Sequence, residues 1–213
     1  MSQSVNTYAI VIKQQDFKDY DRIVTLFTYD LGKLSALAKG VRRSKSGRLG
    51  VLQSGNVVRV QLTPHHDWNI LRETLLVSSC QDFLGSTILT GYLYHTLELL
   101  DVLLAQEPLR DVFKLSVEFM AAMKTSPRHV LMRAFELKLL STLGFLPARG
   151  SSAYCAPITP IFVDEMFELV SSDWENLANA RFDEKHNSIF KTWIIGYIEN
   201  MIEKRLKSLS FFA

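Results

Sequence analysis

Residues 21–38, DRIVTLFTYDLGKLSALA, decide the fold of this chain. Residues 22–28 are mostly apolar, and residues 33–38 alternate between small apolar and polar side chains, as short strands do. Between them, residues 29–32 have the composition of a tight turn, because Gly32 can adopt the positive φ that hairpin turns require. The stretch therefore predicts a β-hairpin.

Three further short strands are predicted around this hairpin, at residues 7–13, 56–62 and 70–77. No helix between these strands is long enough for a crossover connection, so a small antiparallel barrel is favoured. The oligonucleotide-binding (OB) fold is a five-stranded barrel of this size. An SH3-like barrel is the alternative that periodicity leaves open.

The spacing of apolar residues lengthens after residue 80, which indicates helices. They are predicted at residues 88–105, 108–123, 126–144 and 184–209, with a short helix at 174–180 inside an otherwise irregular segment, residues 145–183. The sequence therefore predicts an α+β chain, with a five-stranded antiparallel OB-type barrel over residues 1–79 and an all-α domain over residues 80–213.

Composition indicates an ordinary globular protein, with 47% hydrophobic residues, 22% charged residues and a net charge of only +2. The two cysteines, Cys80 and Cys155, indicate a reducing compartment and exclude a four-cysteine zinc site. The N-terminus lacks a signal pattern, and no run of about eighteen apolar residues occurs. We expect a cytoplasmic protein without a membrane partner.

The strongest functional signal is a basic loop at residues 37–50, which directly follows the third predicted strand. Its glycines and serines alternate with Lys39, Arg42, Arg43, Lys45 and Arg48. Widening the window to residues 31–66 adds Lys33 and Arg59 and includes no Asp or Glu. Cations that neutralise phosphates release counterions, so this loop suits a nucleic-acid backbone. A solvated surface loop is the alternative.

Aromatic residues add weaker support for binding. Phe17, Tyr20, Tyr29 and Trp68 fall in predicted loops of the barrel half. Exposed rings there could stack on bases, as single-strand binders require. Partial burial of these rings is the alternative.

Motifs for catalysis are missing from the sequence, since it has no nucleophile elbow, no P-loop and no dinucleotide fingerprint. The one local cluster of possible metal ligands, residues 65–67, lies in a predicted turn and suits a solvated hairpin tip. His95, His129 and His186 are isolated and expected to be structural. We predict no enzyme, no metal and no cofactor.

Several motifs resemble one family, the bacterial recombination-mediator and DNA repair protein RecO. Residues 21–28 are similar to its "D-R-I-V-x-x-F-T", followed by the "G-K" of Gly32 and Lys33 and the "A-K-G-x-R-R" of residues 38–43. Residues 50–53 and 71–73 continue the pattern. In the helical half, residues 135–147 are similar to "F-E-x-x-L-L-x-x-L-G-x-x-P", and residues 206–208 to "L-K-S".

The resemblance implies an OB barrel and a helical domain without catalysis of bond breaking. It implies binding of single- and double-stranded DNA, annealing of complementary strands, and loading of RecA on single-stranded DNA with the partner RecR. It also implies docking on the acidic, apolar C-terminal tail of single-stranded-DNA-binding protein, and association with the nucleoid. An RNA-binding OB module with a helical interaction domain, and an enzyme with an unrecognised site, are the alternatives.

One feature departs from the family. Many members carry a four-cysteine zinc module after the "L-G-x-x-P" segment, whereas residues 149–183 contain Cys155 alone. Zinc is therefore not carried over to this chain.

Site residues follow from these patterns. The predicted DNA-binding residues are Arg22, Lys33, Lys39, Arg42, Arg43, Lys45, Arg48 and Arg59. For the acidic tail, motif position indicates Arg133 and Lys138. The alternative for these two is a solvated helical pair that satisfies Glu136 or nearby aspartates.

Overall fold

Five strands close into a barrel in the computed structural model, which describes residues 4–43, 48–65, 68–154 and 158–212. They are β1 (Val5–Phe17), β2 (Asp21–Thr28), β3 (Gly32–Ala38), β4 (Val57–His65) and β5 (Trp68–Ser78). Their order round the barrel is β1-β2-β3-β5-β4, and β4 pairs with β1 to close it. This is the strand order of the OB fold, so the predicted OB-type barrel is confirmed.

Among the described residues, the β3–β5 pair is the one parallel pairing in the barrel, and it joins only Ala36 to Asn69 and Leu37 to Ile70. The other four pairings are antiparallel. The sequence pattern predicts an antiparallel barrel because alternation reports which face a side chain takes but not the direction of the neighbouring strand.

The barrel core consists of alternate residues from all five strands, as a period of two requires. Its buried members include Val11, Val24, Leu26, Val58, Val60, Leu62 and Leu71. Val41 and Leu52, from the segment between β3 and β4, are also fully buried in this core. Burying such a side chain stabilises a fold by about 1.5–3 kcal/mol. Both ends of the basic loop are therefore anchored to the barrel.

The predicted β2–β3 hairpin is present, with Thr28 paired to Gly32. Gly32 has a φ of 70°, and a Cβ atom there would lie 2.1 Å from the carbonyl oxygen of Gln106. The Oγ1 atom of Thr28 donates a hydrogen bond to the Gly32 carbonyl and accepts one from the Leu31 N–H. Both the backbone conformation and the close approach thus require glycine at this turn.

One short helix lies within the barrel sequence, and the other helices follow it. They are α1 (Arg48–Val51) in the β3–β4 connection, then α2 (Gln81–Leu84), α3 (Thr87–Leu103), α4 (Arg110–Thr125), α5 (His129–Thr142), α6 (Pro160–Ser171), α7 (Trp174–Asn179) and α8 (Glu184–Ile202), with a final 3₁₀-helix at Lys207–Phe212. Residues 1–113 and 207–213 form one compact unit, and residues 114–206 form the other. The domain boundary at residues 79 and 80, drawn from composition, stays a prediction.

The segment predicted to be irregular, residues 145–183, contains α6 as well as the short α7. The expectation was wrong for α6, because Pro160 occupies the first turn of that helix, where its missing N–H costs no hydrogen bond. Val163, Met166 and Leu169 are buried along one face. Their spacing of three is the helical signal that the prolines obscured.

The last helix ends at Ile202 rather than near residue 209. Glu203 takes a left-handed conformation with φ of 52°, and its N–H bonds to the Glu199 carbonyl. The Glu199 carboxylate accepts the Leu206 N–H at 2.9 Å and pairs with Arg205 at 2.7 Å. These bonds turn the chain out of the helix, so Lys204 and Arg205 lie beyond its end, and the predicted extension to residue 209 was wrong.

Within the described part of the chain, no helix is long and apolar enough to cross a membrane.

Candidate nucleic-acid interface

The start of the basic loop is tied to the tip of the β1–β2 hairpin. The Gly40 N–H donates to the Asp21 carboxylate at 2.8 Å, and the Arg42 N–H donates to the Tyr20 carbonyl at 3.0 Å. With Val41 buried between these contacts, the backbone around Arg42 is held from both sides. The fold therefore fixes where the loop leaves the barrel.

Three cations lie exposed on this anchored segment: Lys39, Arg42 and Arg43. We call them the cationic surface. The Arg43 guanidinium lies 5.5 Å from the ring centre of Tyr20, which is 53% exposed. A cation over an exposed ring leaves the other ring face open for stacking. The cationic surface thus combines phosphate-binding groups with an aromatic platform.

Arg22 lies beside this surface but is already neutralised. It donates to the Asp16 carboxylate at 2.6 and 2.9 Å and to the side-chain oxygen of Gln14, and only 16% of its side chain is exposed. Arg42 shares Asp16 at a longer 3.5 Å. The acid-free window of the sequence missed Asp16 because this residue comes from β1, outside the window.

Lys33 and Arg59 lie on β3 and β4, outside the segment that carries the cationic surface, and each has its own surroundings. Lys33 donates through Nζ to the Asp101 carbonyl, and burial lowers its pKa, an effect that the Asp101 carboxylate partly opposes. Arg59 is exposed on β4, where its neighbours in register are Tyr8 and Leu75.

Two further predicted DNA-binding residues lie partly or wholly outside the residues that the structure describes. Lys45 lies outside the described residues, and the backbone of Arg48 begins α1 while its side chain is not described.

The candidates for tail binding have structural partners. Arg133 is 3% exposed and pairs with the fully buried Glu136 at 3.0 Å. Lys138 donates to the carbonyls of Val170 and Ser172, each at 2.6 Å, and so holds the end of α6. Burial lowers the pKa of Lys138. The structure thus buries Arg133 and directs the Lys138 ammonium from α5 to the C-terminal end of α6.

Of the four predicted stacking residues, two are well exposed: Tyr20 at 53% and Trp68 at 45%. Tyr29 packs edge-on against Phe113, with ring centres 5.6 Å apart, and lies under Arg110. Phe17 is partly buried, with the Lys18 ammonium 5.3 Å from its ring centre. Tyr20 and Trp68 are therefore the platforms that bases could reach.

Metal ligands do not come together in the described ranges, which contain no group of three His, Cys, Asp or Glu residues suited to an ion. His66, Asp67 and Cys155 lie outside those ranges. A chain with two cysteines cannot supply the four-cysteine set of the zinc module, so that group does not fit this sequence.

Two family models match this chain, one in each half. The family model for the N-terminal domain of recombination protein O matches residues 1–80, and the model for its C-terminal domain matches residues 86–165. The chain belongs to the RecO family. The resemblance stated from the sequence motifs is thereby confirmed, and it places this RecO chain among proteins of DNA repair and recombination.

Curated relatives agree with this placement. The DNA repair protein RecO of Symbiobacterium thermophilum is 32% identical over 154 residues, which cover 70% of this chain and 60% of the relative. For the RecO protein of Acetivibrio thermocellus, 32% identity extends over 71% of this chain and 61% of the relative. That of Caldicellulosiruptor saccharolyticus is 24% identical over 98% of this chain and 97% of its own length. Against the first two relatives, the chain therefore spans about three fifths of their length.

Proposed function

We propose that this RecO-family chain is a recombination mediator that binds single- and double-stranded DNA and anneals complementary strands. It helps to load RecA on single-stranded DNA coated by single-stranded-DNA-binding protein, together with RecR. It breaks no bonds and needs no cofactor. It acts in the cytoplasm, at the nucleoid.

The observation that supports this proposal is the cationic surface. Lys39, Arg42 and Arg43 project from a segment that Val41 anchors in an OB barrel, next to the exposed ring of Tyr20. Preformed cations lose less conformational freedom on binding than those of a loose loop. Lys45 and Arg48 extend the same basic segment in sequence.

Annealing follows from charge neutralisation. Two DNA strands repel each other through their phosphates, and cations that hold one strand lower the cost of bringing up the second. Contacts to phosphate carry no sequence information, so the bases remain free to test complementarity. The mediator therefore leaves sequence recognition to base pairing.

The proposed function also includes docking on the acidic tail of single-stranded-DNA-binding protein. Arg133 and Lys138 remain its candidates by motif position. Because both side chains have internal partners, tail binding through them requires α5 and α6 to give up those contacts. A tail peptide ending in its native carboxylate, titrated against wild type and Lys138→Ala, tests this part.

DNA binding is tested by fluorescence anisotropy with labelled single-stranded DNA over a salt series. Wild type is compared with Lys39→Ala/Arg42→Ala/Arg43→Ala. The control, Arg181→Ala/Lys185→Ala/Lys204→Ala, removes the same charge from other exposed positions. Each lost phosphate contact lowers the log–log salt slope by about 0.7, so we expect a decrease of roughly 2 for the first variant and none for the control.

Equal slopes in wild type and a folded cationic-surface variant would overturn this surface as the DNA site. Tighter binding to RNA than to DNA of the same sequence would instead favour an RNA-binding module.

A further inference from the structure

A cavity of about 510 Å³ opens in the wall of the barrel, where β3 and β5 stop pairing. The two strands pair only at Ala36–Asn69 and Leu37–Ile70, so the first half of β3 has no partner on that side. Lys33 and Ser35 line one side of the cavity, and Trp68 lines the other. Ligand sites in proteins have volumes of about 300–1,000 Å³, so this cavity is large enough for one.

The lining of the cavity offers one aromatic face and several spare polar groups. Trp68 is 45% exposed, and no other ring packs on its indole among the described residues. The side chains of Ser35, Asn69 and Gln106 line the same space, and within the described ranges none of them makes a hydrogen bond. Side-chain amides carry both donors and acceptors, so they can meet a ligand edge that has both.

Lys33 adds a positive charge to this wall. Its ammonium is held by the Asp101 carbonyl, and burial lowers its pKa. None of the described carboxylates lines the cavity, so an anionic group can approach the ammonium from that side. An apolar side chain of a protein partner would fill the space but leave the three polar groups unpaired, at a cost in free energy.

We propose that this cavity holds one unpaired nucleobase of single-stranded DNA, stacked on Trp68, with its edge on Asn69 and Gln106 and its phosphate towards Lys33. The site extends the DNA track of the proposed function and rests on it. A planar ring with donors and acceptors on its edge, joined to a phosphate, matches all four groups. Stacking on an aromatic side chain accepts every base, so the subsite is tolerant of sequence.

The geometry of β3 connects this subsite to the cationic surface. The strand Gly32–Ala38 has seven residues, so at about 3.3 Å per residue it spans roughly 20 Å between Lys33 and Lys39. An OB fold accommodates about 4–16 nucleotides, and a strand lying along β3 reaches both sites. In a duplex the bases are stacked inside, so the cavity discriminates single strands from double strands.

The test compares two labelled oligonucleotides of equal length, one with thymine bases and one abasic throughout, which carry the same phosphates. We expect wild type to bind the thymine strand more tightly, and Trp68→Ala to reduce that preference about tenfold. Trp68→Phe keeps a ring and retains most of the preference. Tyr94→Ala, which removes an exposed ring of α3 away from the cavity, serves as the control.

The salt slope is expected to be the same for wild type and Trp68→Ala, because the phosphate contacts remain. An unchanged preference in a folded Trp68→Ala variant overturns the subsite while leaving DNA binding intact. Failure of wild type to bind either strand overturns the proposed function itself. Thymidine monophosphate is the third ligand, and binding as tight as that of the strand would assign the cavity to free nucleotides and overturn the strand subsite.

Discussion

At the scale of single residues, the effect of a cation depends on the acid beside it. Arg22 and Arg42 both contact Asp16, so one carboxylate reduces the positive charge at the edge of the cationic surface. Arg22 donates two short hydrogen bonds to Asp16, whereas Arg42 makes one longer contact with it. Arg42 is therefore free to exchange this contact for a phosphate, and Arg22 serves mainly to hold the barrel end.

Removing this carboxylate should strengthen DNA binding. Asp16→Asn eliminates the negative charge that a phosphate meets at Arg42, and exposed charge pairs contribute about 0.2–1 kcal/mol. We expect the affinity for single-stranded DNA to rise by about two- to fivefold at low salt and the gain to shrink as salt is added. Anisotropy titrations measure it, with Asp111→Asn as the control for a lost surface charge. Weaker binding by Asp16→Asn would contradict this account of the surface.

A second residue-scale prediction concerns the buried Arg133–Glu136 pair. Arg133→Met breaks the ion pair with the fully buried Glu136, and breaking a buried pair from one side typically costs about 3–5 kcal/mol of unfolding free energy. Arg133→Met/Glu136→Leu removes both charges, so we expect it to recover most of that loss. Urea unfolding of the two variants and wild type measures the difference. If Arg133→Met alone is as stable as wild type, the Arg133–Glu136 pair does not contribute to stability as expected.

At the scale of elements, the β2–β3 hairpin could be predicted from the sequence and the parallel β3–β5 pairing could not. The hairpin is encoded locally, by alternation on both sides of a glycine that the turn requires. The β3–β5 pairing joins residues more than thirty positions apart and depends on barrel closure, which no local sequence pattern indicates. The helix α6 could not be predicted for a different reason: Pro157 and Pro160, at and just before its start, are typical of irregular segments and obscure its apolar spacing of three.

The difference between local and distant contacts also explains which site residues could be predicted. Lys39, Arg42 and Arg43 are close in sequence, so their common surface could be predicted from one window. Lys33 and Arg59 fell in a wider window, but the barrel directs Lys33 to the Asp101 carbonyl and places Arg59 between Tyr8 and Leu75. Asp16 and the cavity at Trp68 arise from strand neighbours that only the fold reveals.

The C-terminal 3₁₀-helix is attached to α3 by the Glu98 carboxylate, which accepts the backbone N–H groups of Lys207 and Ser208, both at 2.8 Å. Burial alone would raise the pKa of Glu98, but these bonds and one from the Ser208 side chain outweigh it and lower the pKa. The folded state therefore binds the proton less tightly than the unfolded state. The stabilisation is fully present above the ordinary carboxyl pKa of 4.5 and is lost as the pH falls through the lowered value.

Glu98→Gln tests this attachment through its pH dependence. We expect the variant to be less stable than wild type by about 1 kcal/mol at pH 7, a modest value because solvent screens the partly exposed carboxylate. The difference should shrink as the pH falls below 4.5. Urea unfolding at a series of pH values measures it. A gap that widens towards acid pH would contradict the sign of the Glu98 shift.

At the scale of the whole molecule, a net charge of +2 excludes general attraction to polyanions as the basis of DNA binding. Under the proposed function, the positive charge that acts on DNA is local, and the cationic surface on the OB barrel supplies it. Binding through such a local charge is sensitive to salt, and its indifference to sequence leaves the bases free to pair, as the proposed annealing requires. We therefore predict that annealing is lost when Lys39, Arg42 and Arg43 are removed, and that it survives the loss of the same charge elsewhere on the chain.

Strand annealing tests this claim most directly. Two complementary labelled oligonucleotides are mixed with wild type, with Lys39→Ala/Arg42→Ala/Arg43→Ala, or with Arg181→Ala/Lys185→Ala/Lys204→Ala, and duplex formation is followed by fluorescence transfer. We predict that wild type and the second variant accelerate annealing at low salt, and that the first variant approaches the rate without protein. Annealing by the first variant at the wild-type rate, or no acceleration by wild type, would contradict the account.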